Sequence, residues 1–364
     1  MAVDKLVDSA QLDADLEDIA DAIRAKGGTS ASLAFPNDFV SAIENIPTGG
    51  GGSWIKGDGK TYLHISIKSD IFLDVNLAFG QTVANGNSID WGDNTQPTIP
   101  THTGRAKVAH TYAEQGDYVI TITNISGYFY FGYSGSTQGY IFQDASNNSS
   151  ATRYKNYASL LRKIELGQGW KINEARQFCE CRSLTDVYVS VKPDQNKLMD
   201  NTFSGCYSLS SIDGVEGYLD GITDYGWYIF QNATALTTVP IPKNMPKIGN
   251  NYNLGNKSLT YLTIPDGVNE IQTGAFSGCE NLVEVEIPAS VTNIAANAFA
   301  TTYGMHELRL KRTTPPTLAN ANAFSFTNGN AYPAVIKVPA GTLSAYQTAT
   351  NWSTFASYMV EESA

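Results

Sequence analysis

The sequence predicts a mainly β protein with a short N-terminal helical hairpin, a β-sandwich and a C-terminal solenoid. Three observations lead to this prediction. Residues 259–299 contain the same segment twice at an offset of 23 residues, residues 54–125 alternate apolar and polar side chains, and residues 9–26 space apolar residues by three and four. A fixed period of this length is typical of stacked repeats. Alternation predicts strands, and the spacing of three and four predicts an amphipathic helix.

Residues 1–47 are predicted to form a helical attachment or oligomerisation module, followed by a Gly-rich linker at residues 48–53. One helix ends at Gly27 and a shorter one stops at Pro47. Two helices of this size bury too small a core to be stable alone, so we expect them to self-associate or dock on a larger body. The residues assigned to this role are Leu12, Leu16, Ile19, Ile23, Phe39 and Ile43.

This segment has a distinctive amino-acid sequence, LVDSAQLDADLEDIADAIRAKGGTSASLAFPNDFVSAIENIP. It resembles the N-terminal module of tail-associated proteins from phages and prophages of Gram-positive gut bacteria. The resemblance implies attachment to other virion proteins through the N-terminal helices. A generic oligomerising hairpin explains the physical pattern equally well.

Residues 54–126 are predicted to be a β-sandwich. The pieces IDWGDNT and AHTYAEQGDYVITI resemble the PKD domain, in which this pattern is a fold signature and not a catalytic site. The matching positions are Trp91, Gly92, Asp93, Thr95, His110, Tyr112, Gly116, Tyr118, Val119 and Ile122. Asn94 replaces the usual glycine, and asparagine also tolerates left-handed turn geometry.

Two carboxylates, Asp90 and Asp93, flank Trp91 in this motif, and His110 is expected nearby. These residues allow a metal or acid/base interpretation. The structural interpretation is preferred: Asp93 caps a tight turn, Trp91 fills the core and His110 packs in a strand.

Residues 160–364 are predicted to be the solenoid. Coils start at Leu184, Leu209, Leu236, Leu259 and Leu282, with spacings of 25, 27, 23 and 23 residues. In the coils that start at Leu259 and Leu282, Pro265 and Pro288 end a short alternating strand, and Phe276 and Phe299 close the coil. The pattern closely resembles the BspA-like leucine-rich repeat. The resemblance implies a stack of coils, with residues 335–361 as a terminal strand and a capping helix.

Three of the four cysteines, Cys181, Cys206 and Cys279, follow the closing phenylalanine by three residues. The repeat therefore predicts that they are small buried residues. A disulfide between Cys181 and Cys206 in adjacent coils is an open alternative. Because no histidine accompanies the cysteines, no metal site is predicted.

Composition and motifs argue against several functions. Lys and Arg total 24 against 35 Asp and Glu, a formal net charge of −11, which disfavours nucleic acid. The sequence contains no apolar run of spanning length, and its beginning does not read as a signal peptide. The four histidines are scattered and no nucleophile, phosphate-loop or dinucleotide motif occurs. We therefore expect no enzyme, no cofactor and no membrane partner.

Two segments are candidate ligand-binding surfaces. The connection at residues 127–159 is dense in aromatics among Gly, Ser and Asn, and the longer coils before residue 259 bulge on one face. Tyrosine among small polar residues suits recognition, although packing between domains also needs aromatics. The candidates are Tyr128, Tyr130, Tyr133, Tyr140, Tyr218, Tyr225, Trp227, Tyr228 and Tyr252.

Together these features lead us to expect a non-enzymatic phage tail-tip or fibre receptor-binding protein, present in the virion and extracellular after host lysis. Its β-rich C-terminal part would recognise a host-surface glycan or protein. A homo-oligomer is expected, with a trimer as the guess from tail fibres. A virion head fibre or capsid decoration protein and a bacterial surface adhesin are the alternatives.

Overall fold

A computed structural model describes residues 54–132, 141–143, 157–171, 175–191, 197–198, 200–213, 224–242, 245–324 and 335–362. The chain divides into two compact units, residues 1–58 and 59–364. The predicted helical module and linker, with all six residues assigned to attachment, lie outside the described residues. All strands and helices that the structure describes belong to the second unit.

The first part of this unit is a pair of antiparallel sheets, as the alternating pattern predicts. Strands β1, β5 and β3 lie in one sheet, while β4, β2 and β6 lie in the other with β7 also paired to β2. The strands are β1 (Thr61–Ile67), β2 (Asp74–Gln81), β3 (Asn87–Asp90), β4 (Gly104–Thr111), β5 (Gly116–Asn124), β6 (Phe129–Phe131) and β7 (Phe142–Gln143). A 3-10 helix, Asp70–Phe72, lies just before β2.

The alternation places the apolar side chains of both sheets in one buried core. Leu63 and Ile65 of β1 are buried together with Leu77 and Phe79 of β2. Trp91, which follows β3, is fully buried, as predicted. The two sheets therefore exist because each has one apolar side that must be removed from water.

The first sheet continues without a break into the solenoid. Strand β8 (Leu161–Leu166) pairs antiparallel with β1 on one side and parallel with β9 (Asp186–Val189) on the other. Strand β11 (Ser211–Asp213) then extends the sheet beyond β9. The predicted division at residue 160 thus falls inside a hydrogen-bonded sheet, and no flexible joint separates the two architectures there.

The solenoid strands of successive coils pair in parallel, because equivalent positions of the repeat stack on one another. After β11 the strands of this face are β14 (Tyr261–Thr263), β16 (Glu284–Ile287), β18 (Glu307–Leu310), β20 (Val335–Val338) and β21 (Met359–Glu361). Shorter strands on the return path pair likewise: β10 (Lys197–Leu198) with β12 (Asp224–Tyr225), and β13 (Lys247–Ile248), β15 (Glu270–Ile271), β17 (Asn293–Ile294) and β19 (Thr317–Leu318) in one ladder. The fold class is thus mainly β, as predicted.

The coil that starts at Leu236 lacks the regular strand that was predicted for every coil. The long sheet ends at β11 and a new one begins at β14, so residues 237–241 lie outside both. Pro240 has no N–H to donate to a ladder and occupies the middle of the expected strand. Val239 and Ile241 are consequently only half-buried, whereas the equivalent Leu262 is buried.

The closing aromatic residues stack along the axis, with ring centroids 5.2 to 5.7 Å apart. The stacked rings are Phe178, Phe203 and Phe230 in the first half and Phe276, Phe299 and Phe324 in the second. The buried side chain of Asn253 takes this position in the coil between the halves. The ring stack is therefore interrupted in the same coil as the strand ladder.

All four cysteines are buried free thiols. The Cys206 Sγ donates to the carbonyl of Phe178 in the preceding coil at 3.1 Å. Burial raises the pKa of the Cys279 thiol to about 12. The prediction that these residues are small buried members of the coil is confirmed, and the disulfide alternative is not what the structure contains.

The C-terminal end differs from the predicted single capping helix. A short helix α1 (Leu343–Thr348) is followed by a 3-10 helix, Trp352–Tyr358, and the two are separated by Asn351 in the left-handed region with φ of 65°. Strand β21 then adds in parallel to β20. The buried side chains of Tyr346 and Trp352 close the core at this end.

Candidate functional site

The turns opposite the long strands form a third ladder, and this ladder positions the candidate site. In six successive coils two residues four apart have positive φ. In the first five of these coils the first residue of the pair donates its backbone N–H to the next coil, as Asn201 does to Trp227 and Tyr228 does to Asn250. The pairs are Arg176 and Glu180, Asn201 and Gly205, Tyr228 and Asn232, Asn251 and Gly255, Gly274 and Gly278, and Asn297 and Thr301.

Trp227 lies on this ladder with 52% of its surface exposed. Its carbonyl accepts the N–H of Asn201 at 2.9 Å, and its own N–H donates to the Asp200 Oδ1 at 2.8 Å. The backbone of Trp227 is thereby held on both sides while the indole projects into solvent. Glycines at 226 and 249 allow the close approach beside it, since a Cβ at Gly249 would lie 2.9 Å from the carbonyl oxygen of Gly226.

Polar residues take the position of Trp227 in the two neighbouring coils. The exposed Asp200 belongs to the preceding coil, and Asn250 belongs to the following one. The Asn250 Oδ1 accepts the backbone N–H of Thr273 at 3.1 Å, just as Asp200 accepts that of Trp227. We call the group formed by Asp200, Trp227, Tyr228 and Asn250 the Trp227 surface.

Tyr228 has a φ of 59°, a conformation that five other coils assign to arginine, asparagine or glycine. A tyrosine carries a steric cost in this region, because its Cβ approaches the following carbonyl. Such strained residues concentrate at functional sites. The strain of Tyr228 is thus a second reason, besides exposure of Trp227, to treat this part of the ladder as a site.

Two predicted ligand-binding residues are buried, which corrects their assignment. The Tyr130 ring lies over Gly80, where an added Cβ would overlap it, and the residue is 6% exposed. Tyr252 is fully buried, packs edge-on against Phe230 with ring centroids 5.4 Å apart, and donates its hydroxyl to the carbonyl of Pro240. The Tyr252 ring lies in the core, and the Tyr130 ring is covered by Gly80 and by the Arg105 guanidinium, 5.9 Å from its centroid.

The other predicted aromatics fall into two groups. Tyr128 is half-buried, and the Lys171 ammonium lies 4.5 Å from its ring centroid. Tyr133, Tyr140 and Tyr218 lie outside the described residues, as does the side chain of Tyr225. Of the predicted residues whose side chains the structure describes, Trp227 and Tyr228 are the ones that lie together at the surface.

Within the described ranges, three exposed aromatics were not selected from the sequence. Tyr207 lies under the Arg182 guanidinium, 5.3 Å from it, and Tyr303 is in an equivalent turn of a later coil. Tyr261 projects from β14 with 53% of its surface exposed. Tyr261 could have been found, because it is an outward position of the alternating strand pattern.

The outward residues of the later strands largely satisfy one another. The Arg309 guanidinium contacts Glu307 at 2.6 Å and Glu362 at 2.8 Å, and the Lys337 ammonium contacts Glu307 at 2.6 Å. Burial alone would raise the pKa of Glu307, but Lys337 and Arg309 lower it. This network makes the strand face of these coils a less suitable site than the Trp227 surface.

The motif around Trp91 is a packed structural cluster. The His110 ring stacks on Trp91 with centroids 4.6 Å apart, and its Nε2 lies 2.7 Å from the Asp93 Oδ2. Burial alone would raise the pKa of Asp93, but hydrogen bonds from Thr95 and with His110 lower it below its ordinary 3.8. Asp93 also accepts the N–H of Thr95, so it caps the turn as predicted.

In the described part of the chain, no group of three or more His, Cys, Asp or Glu residues is arranged to hold a metal ion. No described helix has the length and apolar character needed to cross a bilayer.

The family model for the BspA type leucine-rich repeat region matches the chain in six copies, over residues 123–253 and 250–333. Among solved structures, a leucine-rich repeat protein of T. pallidum is 22% identical over 41% of this chain and 76% of its own length, with a TM-score of 0.32. A leucine-rich repeat protein from Bacteroides ovatus is 23% identical over 41% of this chain and 31% of its own length, with a TM-score of 0.26.

A leucine rich cell surface protein from Faecalibacterium prausnitzii is 21% identical over 50% of this chain and 59% of its own length, with a TM-score of 0.28. No curated protein matches the chain. The coil period, the parallel ladders and the family match agree over more than half of the sequence. The chain belongs to the BspA-type leucine-rich-repeat family.

Proposed function

We propose that the protein is a non-enzymatic receptor-binding protein of a phage tail tip or fibre. Its N-terminal residues attach it to the particle, and its solenoid recognises a glycan or protein on the host surface. The repeat fold is compatible with a ligand-binding or adhesin role. The phage assignment is supported by the resemblance of residues 6–47 to tail-associated modules.

The observation that carries the recognition role is the exposed Trp227 on a rigid backbone. Hydrogen bonds with Asp200 and Asn201 fix the backbone of Trp227. Binding of a ligand to the indole therefore does not have to order this backbone, which would cost conformational entropy. Exposed tryptophan is rare on surfaces and frequent at binding hot spots. A strained neighbour, Tyr228, accompanies it.

The β-sandwich has the role of a rigid spacer in this proposal. The resemblance of residues 54–126 to the PKD domain supports a structural role for the Trp91 motif, and the packed pair of His110 and Asp93 is consistent with it. Because β1 and β8 share a sheet, the β-sandwich would hold the first coils of the solenoid in a fixed orientation.

The test is binding of the full-length protein to cells of a Gram-positive gut bacterium that adsorbs the phage, with Trp227→Ala compared with Tyr261→Ala. Tyr261 is a matched control, because it is equally exposed but projects from β14. We expect the wild type to bind and to block phage adsorption, and Trp227→Ala to lose most of this binding. Absence of binding and of competition by the wild type would refute the receptor-binding role.

Labelling of purified particles tests the location. Label at the tail supports the proposal, while label on the head indicates a head fibre or decoration protein. Label on uninfected bacterial cells indicates an adhesin. Light scattering of the full-length protein tests the expected homo-oligomer and the guessed trimer.

A further inference from the structure

We infer that the Trp227 surface binds a neutral saccharide, with one sugar ring stacked on the indole. This inference deepens the proposed function and rests on it, because it names the class of ligand for the same surface. Three features of the surface support it: an aromatic residue that packing does not require, polar groups on both sides of that residue, and the sign of the local charge.

Packing of the coils does not call for a tryptophan at position 227. The equivalent residues, whose carbonyls also accept the N–H of the preceding coil, are Asp200, Asn250, Thr273 and Ala296. All four are small or polar. Of the other four tryptophans, Trp91, Trp170 and Trp352 are at most 2% exposed and fill cores, while Trp54 is half-buried. At position 227 the indole has half of its surface in water and contributes little to the core.

Residues with hydrogen-bonding side chains occupy the position of Trp227 in the coils before and after it. The Asp200 Oδ1 accepts the N–H of Trp227, and the Asn250 Oδ1 accepts that of Thr273. Within the described part of the chain, the Asp200 Oδ2 and the Asn250 amide nitrogen have no further hydrogen-bond partner. Backbones of adjacent coils lie about 4.8 Å apart. A strong acceptor and a donor are therefore available at the equivalent positions one coil before and one coil after Trp227.

This combination suits a sugar better than a peptide or an anion. The face of an indole carries negative charge density that attracts the polarised C–H bonds of a sugar ring, and the hydroxyls at the ring edge can donate to a carboxylate and accept from an amide. A protein hot spot would need an apolar surround that excludes water, whereas the neighbours here are polar. The charged group at the surface is a carboxylate, and the chain has a formal net charge of −11, so anionic polymers are disfavoured.

The test uses the full-length protein and neutral oligosaccharides of glucose, galactose, rhamnose and N-acetylglucosamine as probes, with polyglycerol phosphate as the anionic probe. Binding is followed by calorimetry and by protection of tryptophan fluorescence from acrylamide quenching. We expect at least one neutral probe to bind and to protect the fluorescence, and polyglycerol phosphate to do neither.

Variants separate the site from the fold. Trp227→Ala is expected to weaken binding at least roughly tenfold, and Trp227→Phe by less, because a smaller aromatic face remains. Asp200→Asn keeps the acceptor for the Trp227 N–H but replaces the free carboxylate oxygen, and we expect it to weaken binding about threefold to tenfold. Tyr261→Ala should bind as the wild type does, and all variants should keep the wild-type melting temperature within a few degrees.

The inference is overturned if no neutral probe binds the wild type at millimolar concentration, or if Trp227→Ala binds the same probe as tightly as the wild type. These outcomes differ from failure of the proposed function. A protein that adheres to host cells equally well with and without Trp227 keeps its receptor-binding role and loses this site, whereas a protein that binds an oligosaccharide but no cell keeps the site and loses the role.

Discussion

Replacement of Gln177 by methionine tests how the β-sandwich is joined to the first coil. Gln177 is fully buried, and its Oε1 accepts the backbone N–H of Phe131 in β6 and the Nε1–H of Trp170, both at 3.2 Å. Its amide nitrogen donates to the carbonyl of Lys171. One side chain thus connects the second sheet to the turn of the first coil.

Methionine has nearly the same shape but only a weak sulfur acceptor. The variant removes the acceptor that the structure gives to two buried N–H groups, and an unsatisfied buried donor costs about 1–3 kcal/mol. The carbonyl of Lys171 is only partly buried and can reach water, so it adds little. We expect the variant to lose about 2–5 kcal/mol of unfolding free energy after a small gain from the apolar side chain.

The assay is urea unfolding of the full-length protein, followed by tryptophan fluorescence and by circular dichroism. Gln231→Met is the matched control, because Gln231 is half-buried and accepts a single long bond of 3.4 Å from Ser204. The control should lose less than about 1 kcal/mol. A Gln177→Met variant that unfolds at the same urea concentration as Gln231→Met would refute the reasoning.

The structure supports four further predictions. Because the folded-state pKa of Asp93 is lowered, its pair with His110 stabilises the fold above about pH 4 and ceases to do so as the pH falls through the folded pKa; Asp93→Asn should unfold with a flatter acid dependence in thermal melts. Phe299→Ala should cost about 3–5 kcal/mol in urea unfolding, since a fully buried ring is lost from the stack, and an effect below about 1 kcal/mol would contradict the stack's role. The buried thiols should not react with Ellman's reagent in the native protein and should all react in denaturant, and a melting temperature that falls with reductant would contradict their free state. Tyr228→Asn should raise stability by about 1 kcal/mol by relieving the positive φ while weakening binding to host cells, and weaker stability would contradict the assignment of strain.

The period of the repeat allowed most of the solenoid core to be predicted. Leu262, Val285 and Phe276 are buried at the positions that the 23-residue offset indicates. This succeeds because an amphipathic strand repeated at a constant interval has only one side that can be removed from water. The burial of Cys279 follows from the same register, and it needed no knowledge of distant contacts.

The interruption at Leu236 shows where the pattern alone was insufficient. Val239 and Ile241 have the spacing of a regular strand, and Pro240 between them removes a donor. The apolar pattern predicts a strand there, while the missing hydrogen bond prevents it, and the local sequence does not say which effect prevails. In the structure the carbonyl of Pro240 accepts a hydrogen bond from the hydroxyl of Tyr252 and not from a neighbouring strand.

The candidate site was predictable in part for a similar reason. Trp227 lies in the 27-residue coil that starts at Leu209 and Tyr252 in the 23-residue coil that follows, and the sequence analysis selected both as candidate binding aromatics. The burial of the two side chains differs because of their place in the turn. Trp227 precedes the positive-φ residue of its turn and is exposed, whereas Tyr252 follows the equivalent residue and is buried in the core. This distinction depends on the left-handed turn geometry, which tyrosine at position 228 does not signal.

The sequence by itself determined the mainly β fold, the period of the coils, and their buried positions including the cysteines, because each depends on contacts between neighbouring repeats. Only the tertiary structure decided that β8 joins β1 in one sheet, that the ladder is broken at one coil, and that Trp227 is exposed between Asp200 and Asn250. These features arise from pairing between residues far apart in the chain and from backbone conformations at single turns, and neither leaves a periodic trace in the amino-acid order.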